Sequence, residues 1–366
     1  MKKFLSFFLA LIMVLSLAPM ALAEGEAAAE AEVAETVSPE VQAKYEEALA
    51  LFKEGEYFDS FMLLRKTAEE NHPASLHLMA LLYYHGLGVE EDVETAFEYL
   101  NRAAELDYVE AILDLGLLYE NGYYLQKDYP KALELYTHAA ELGSTEAMNY
   151  LGVLYRAEHG ATLVERDYAS AMSWFEKAAG LGDPYAMCAI AELYLKGHGV
   201  EADELSALDW YLEAAALDYA PAMCALADMF LRGIGVQVNE DKAQEWLDKA
   251  LAVGSSLPYH YLFNKADSDD YDDRLQLAEK AAELGDPELL YQLGYADREN
   301  EAGRELLIRA AEMGHCEAAR IVWIHYNNAE GDYNKAQAEE WYSIFRALEL
   351  ADQLARVNYR GSLLDD

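Results

Sequence analysis

Cysteine is scarce: Cys188, Cys224 and Cys316 are the only three in 366 residues. An odd number cannot pair completely within one chain, and Cys188 and Cys224 hold matching places 36 residues apart in a repeating pattern. Equivalent residues on stacked helices lie roughly 8–10 Å apart, beyond the ~7 Å between Cα atoms that a disulfide spans, so free, buried thiols are expected. Basic residues are short as well, 27 Lys and Arg against 67 Asp and Glu, a net charge of −40. That balance argues against nucleic acid and anionic membrane as partners. It reads either as self-repulsion that keeps the chain soluble or as a field that draws cationic partners and divalent ions. The standard catalytic signatures are missing: there is no His-Glu-x-x-His, no Gly-x-Ser-x-Gly, no Gly-x-x-x-x-Gly-Lys and no Cys-x-x-Cys. A non-enzymatic chain without cofactor or metal is expected.

Long apolar runs are confined to the start. Lys2 and Lys3 precede an apolar run over 4–18, then come Pro19 and the small-residue site Ala21-Leu22-Ala23. This three-part layout predicts a secretory signal, residues 1–23, cleaved after Ala23, because the run is shorter than the ~20 residues of a membrane span. A secreted or extracytoplasmic protein follows, with no stable membrane span and a net charge of about −42 once Lys2 and Lys3 are lost. Residues 24–40, mostly Ala and Glu, read as a disordered acidic leader. A solenoid is expected over 41–350 and a tail over 351–366.

What is present is a period. Tyr83, Tyr119, Tyr155, Tyr194 and Phe230 recur at spacings of 36, 36, 39 and 36. In step with them run Ala80, Gly116, Gly152, Ala191 and Ala227, and the pairs Ala103-Ala104, Ala139-Ala140, Ala178-Ala179 and Ala214-Ala215. Apolar spacing of three to four, as in Ala147, Met148, Leu151, Leu154 and Tyr155, makes each unit helical. Two helices per unit, A and B, are joined by Gly-x-Gly-Val at 86–89, 197–200 and 233–236, glycine supplying the positive φ that ends helix A. Asp92, Asp128, Asp167, Asp203 and Asn239 stand in register as N-caps of helix B. Asp183-Pro184 and Asp286-Pro287 read as N-cap and first residue of helix A. An insertion over 159–166 lengthens the third unit, and the pattern is clear over 73–256 and degenerate over 257–350. A last pair, 317–328 and 333–350, is expected to cap the stack with Trp341, Tyr342, Ile344 and Phe345.

Leu151-Gly152-x-x-Tyr155, Gly197-x-Gly199-Val200, Asp203-x-x-x-Ala207-x-x-Trp210-Tyr211 and Ala139-Ala140-Glu141-Leu142-Gly143 resemble the Sel-1-like repeat of the tetratricopeptide superfamily. The opening pair, with Ala48, Leu49, Phe52, Gly55, Tyr57 and Leu64, is nearer a plain tetratricopeptide unit. The resemblance implies an all-α, right-handed α-solenoid of about eight helix-turn-helix repeats, and a role as adaptor or binding scaffold without chemistry. Some secreted relatives staple helices A and B with disulfides; the cysteines for that are absent here.

Positions locked to the repeat read as scaffold. Trp174, Trp210 and Trp246, each three after an Ala of helix B, are expected in the core rather than stacked on a sugar. His77, His85, His198 and His315 read as structural or solvated, and the acidic stretch 267–273 as a solvated loop and N-cap, since it lacks the glycine and terminal glutamate of a calcium loop. Positions that break the repeat are more informative. Two, six and nine residues after the first small residue of helix A stand His77, Leu113 and Asn149; Leu81, Leu117, Glu192 and Asp228; and Tyr84, Glu120 and Arg156. With Asp114 and Tyr150 at the third place they share one helical face. In tetratricopeptide-like stacks this stripe lines the concave groove, so it is the candidate floor for a protein or peptide partner, against free drift at solvent-facing places. A cell-wall glycan binder and a weak hydrolase remain as alternatives.

Overall fold

A computed structural model describes residues 38–122, 126–156, 166–267, 270–329 and 332–358, the side chains of 332, 333, 350 and 352–358 excepted. The expected signal, nearly all of the leader, most of the 159–166 insertion, Ser268 and Asp269 of the acidic stretch, and the last eight residues lie outside the described residues. Eighteen α-helices and no strand occur among the described residues. They alternate as α1 (Pro39–Lys53) and α2 (Tyr57–Glu69), α3 (Pro73–His85) and α4 (Val93–Ala104), α5 (Val109–Asn121) and α6 (Tyr129–Glu141). Then follow α7 (Thr145–Arg156) and α8 (Tyr168–Gly180), α9 (Pro184–Lys196) and α10 (Glu204–Ala215), α11 (Ala220–Arg232) and α12 (Glu240–Ala252). The degenerate region gives α13 (Leu257–Lys265) and α14 (Tyr271–Glu283), α15 (Glu288–Ala296) and α16 (Glu301–Glu312), α17 (Cys316–Asn328) and α18 (Asp332–Asn358).

The sequence undercounts the pairs by one, because the degenerate stretch still folds as complete hairpins. The boundaries also move. Ser38 is already the N-cap of α1, its hydroxyl accepting from the Val41 N–H at 3.3 Å, with Pro39 at the first helical place. At the other end α18 runs on through residues 351–358, which the sequence assigns to a tail; no Gly or Pro interrupts it before Gly361. The chain packs as two compact units, one built on residues up to Ala186 with 198–200, the other on 187–197 and 201–353.

One clasp closes each of the five clear units. The N–H of the helix B cap donates to the carbonyl of the recurring aromatic: Asp92 to Tyr83 (3.0 Å), Asp128 to Tyr119 (2.8 Å), Asp167 to Tyr155 (2.8 Å), Asp203 to Tyr194 (3.1 Å) and Asn239 to Phe230 (2.9 Å). The same five side chains accept from the first turn of helix B, as Asp92 does from the Thr95 N–H at 3.0 Å. A cap of this kind is worth about 1 kcal/mol. The clasp survives the longer third unit, since it fixes where helix B starts whatever the loop does.

Core packing explains the register of small residues. A Cβ on Gly116 would stand 2.3 Å from the Tyr136 ring, and one on Gly152 2.4 Å from the Phe175 ring. Tyr136 and Phe175 are fully buried, so glycine on helix A makes room for an aromatic on helix B. Where helix B offers Leu247 instead, Ala227 suffices, and the two share one cluster with Ala243. These positions correct the expectation for tryptophan. The core residue of helix B is the one after it: Phe175, Tyr211 and Leu247 are buried, while Trp174, Trp210 and Trp246 are half-buried at the rim. Trp246 leans on the Leu247 cluster from outside.

The second glycine of each Gly-x-Gly-Val loop has a separate duty. Gly88, Gly199 and Gly235 have positive φ and lie against the first turn of the helix B one unit earlier. A Cβ there would meet Phe58, Tyr168 or Glu204 at 2.5–2.9 Å. Gly235 uses the approach to donate its N–H to Glu204 Oε2 at 2.7 Å.

Candidate functional site

Helix A is the inner element of its hairpin. Along α3 every residue from Ser75 to Leu82 is buried, and along α5 every residue from Ala111 to Gly116. The candidate stripe therefore lies deeper than its periodicity suggests. In the first unit His77, Leu81, Leu113, Asp114 and Tyr150 are buried, between 1% and 8% exposed, and offer a partner almost no area. Helices packed on both flanks consume that face.

Three of these five are engaged with one another or with neighbouring repeats. His77 Nε2 meets Asp114 Oδ2 at 2.6 Å, a link between successive A helices, and the His77 ring lies 5.5 Å from that of Tyr108. A buried pair of this sort returns its desolvation cost only through good geometry. Tyr150 stacks on Tyr136 at 5.0 Å and 13°. Tyr84, Leu117, Glu120, Asn149 and Arg156 stay half-buried and partly accessible. Glu120 accepts from the Tyr136 hydroxyl at 2.7 Å, and the Arg156 guanidinium stands over the Phe175 ring at 6.0 Å. Asn149 Nδ2 donates to Asp183 Oδ1 at 3.1 Å.

In the second unit Glu192 pairs with Lys196 at 3.4 Å. Asp228 gathers three donors: Arg232 at 2.9 Å, the Tyr261 hydroxyl at 3.1 Å and Lys265 at 3.5 Å. Cys188 and Cys224 share this stripe and form no disulfide, half-buried rather than fully buried, and Cys316 forms none either among the described residues. Burial pushes the Cys224 thiol up to about 11, which keeps it protonated and a poor nucleophile.

A second set of residues escapes sequence reasoning. A side chain in the first turns of one helix A reaches the N-cap of the next. Gln42 and Tyr45 meet His72, Asn149 meets Asp183, His260 meets Asp286 at 2.6 Å, and Tyr291 stacks on His315 at 4.1 Å. His72 and His315 are themselves caps: Nδ1 accepts from the Ser75 and Ala318 N–H groups at 3.2 and 3.1 Å. Accepting at Nδ1 leaves Nε2 to face Gln42 and Glu288, which fixes the tautomer. Burial pushes the His72 imidazole below its ordinary value. The missed signal was the register itself, since His72, Tyr108, Ser144, Asp183, Tyr219 and His315 occupy equivalent places whose residue types share no obvious chemistry. Asp183 and Asp286 do cap as expected, accepting from the Ala186 and Glu288 N–H groups, although α15 begins one residue after Pro287.

Among the described residues no three His, Cys, Asp or Glu side chains gather as metal ligands would. No helix among them is long and apolar enough to cross a membrane. In the acidic stretch Asp270 caps α14, accepting from the Asp273 N–H at 3.1 Å.

The Sel1 repeat family model matches residues 73–108, 109–144, 145–183, 184–219, 220–255, 275–286 and 287–315. No curated protein matches the chain. A protective antigen of uropathogenic Escherichia coli displaying an SLR fold is 22% identical, with a TM-score of 0.54 over 92% of this chain and 75% of that one. A Sel1 repeat protein from Oxalobacter formigenes is 27% identical, with a TM-score of 0.54 over 65% of this chain and 99% of its own.

Proposed function

Since the chain belongs to the Sel1 repeat family, whose members generally serve as scaffolds for protein–protein interaction, we propose that it is a non-catalytic adaptor. It holds a protein or peptide segment against the helix A face, outside the cytoplasmic membrane. The observation that carries this reading is the ninth place of the stripe. In the first compact unit it runs Tyr84, Glu120 and Arg156, half-buried throughout and different in every repeat, while the residues packed around it repeat. A surface kept partly dry, with an aromatic, an acidic and a basic group in sequence, suits a specific segment better than a generic one. The extracytoplasmic setting rests on Lys2, Lys3, the apolar run over 4–18 and the Ala21-Leu22-Ala23 site. Glycan stacking draws less support, because Lys177 and Lys249 place their ammonium groups 3.5 and 3.7 Å from the Trp174 and Trp246 ring centres.

The test starts with cross-linking in the native host to recover the partner. Affinity is then measured for a variant carrying Tyr84→Ala, Leu117→Ala and Arg156→Ala, which avoids the buried members of the stripe. Weakening by about 100-fold is expected if these are interface anchors; affinity unchanged in a folded variant overturns the assignment to this face.

A further inference from the structure

The repeats serve as controls for one another, and α10 departs from its siblings on its outward face. In α8 and α12 the half-buried tryptophan is followed three residues later by a lysine that covers its ring, Trp174 by Lys177 and Trp246 by Lys249. In α10 that place is Glu213, and no cation stands over Trp210 among the described residues. Leu205 and Leu212, 61% and 38% exposed, stand seven apart along the border of the outward face away from Trp210, where α12 has Asp241 and Asp248. Leu217, just beyond the helix, is 51% exposed. From residue 197 to residue 231 there are seven acidic residues and no Lys or Arg, and Asp209 and Glu213 lie exposed between these two leucines and Trp210.

We propose that the outward face of α10 is a docking surface for a cationic amphipathic helix of a partner protein. The exposed leucines bury its apolar stripe. One of its Lys or Arg side chains takes the place over Trp210 that Lys177 and Lys249 hold over their own tryptophans, and others meet Asp209 and Glu213. Charge complementarity selects this occupant: an isolated apolar patch would accept any hydrophobe, whereas exposed leucines and an uncovered indole parted by carboxylates reward a cation that arrives with leucines. The surface is separate from the helix A stripe and stands or falls independently of it.

The experiment uses the full chain and a labelled model helix of alternating Leu and Lys in an amphipathic pattern, followed by fluorescence anisotropy. A control peptide keeps every Lys and replaces each Leu by Ser. Glu213→Lys gives Trp210 the lysine its siblings carry, and Leu212→Asp gives α10 the residue of α12; both sites are exposed, so unchanged helical circular dichroism verifies folding. The proposal expects the Leu peptide to bind at least ~10-fold tighter than the Ser control, and each substitution to weaken it by ~10-fold or more. Tyr84→Ala with Arg156→Ala leaves this binding unchanged. Failure of the Leu peptide to bind, equal binding of the Ser control, or wild-type affinity in both α10 variants overturns it.

Discussion

Gly199 and Tyr168 are in contact with no room for a methyl group between them: a Cβ on residue 199 would lie 2.7 Å from Tyr168 Cβ and 2.9 Å from its carbonyl carbon. With a φ of +77° the position also disfavours any L side chain. Gly199→Ala is expected to destabilise the fold by about 2–4 kcal/mol, combining left-handed strain with overpacking. Urea unfolding followed by circular dichroism reads this as an earlier midpoint. Gly180→Ala, where a Cβ would meet nothing within 4 Å, is the matched control and should be neutral or better.

The turn from helix B to the next helix A passes through a left-handed residue in every unit. Gly143, Gly182, Gly254, Gly285 and Gly314 fill it in some, but Asn71, Asp107 and Asp218 do so at φ of 57–59°. Asn71 and Asp107 are held there by Arg102 and His138. Asp218→Gly should therefore raise the melting temperature, by the equivalent of about 0.5–1 kcal/mol once the entropy glycine adds to the unfolded chain is discounted. A lower melting temperature would refute it.

Asp286 sits where α13, α14 and α15 meet, 23% exposed in its side chain. Burial raises its carboxyl, but hydrogen bonds from His260, Ser256 and the Glu288 N–H together outweigh burial and hold it down at about 2, against an ordinary 3.8. A depressed acid stabilises the fold above its unfolded value and loses that contribution as pH falls through the folded one. The difference amounts to about 2 kcal/mol, present above pH ~4 and gone near pH ~2. Stability of wild type minus Asp286→Asn, measured by denaturant titration across that window, should shrink as acid is added. A constant gap would mean the carboxylate charge is not what matters there.

Asp183 has the opposite sign. Burial raises its carboxyl above 3.8, and the bonds from Ala186, Asn149 and Tyr185 only partly offset that. Its ionised form therefore opposes folding at neutral pH, and the penalty is relieved as pH falls through the raised value. Asp183→Asn keeps an oxygen for the Ala186 cap and removes the buried charge. It should match or exceed wild type in thermal stability at pH 7 and fall behind, relative to wild type, in acid. Clear destabilisation at pH 7 would show that the cap needs the full charge.

Periodicity made the helix pairs and all five helix B caps legible, because caps and turns are local: Asp203 needs only its own first turn to be recognised. Depth was not local. Leu113 and Leu117 lie four apart on one face of α5, yet one is 1% exposed and the other half-buried. The difference depends on what the flanking repeats place over each, and no window within α5 contains that information. Trp246 and Leu247 show the same limit. Both are apolar and adjacent on helix B, and it is Leu247 that packs with Ala227 and Ala243 while Trp246 stays outside. The junction pairs were hidden for a further reason: Gln42 with His72 and Asn149 with Asp183 are equivalent in place but unlike in chemistry.

That unlikeness gives the chain a word order. Repeats joined only by apolar packing could be shuffled as interchangeable bricks, since one alanine-lined face fits another. Here several A helices carry, in their first turns, a side chain that only a suitable successor completes. Asn149 requires a following repeat that opens on an acceptor such as Asp183, whereas Leu113, at the same place one repeat earlier, asks nothing polar of Ser144.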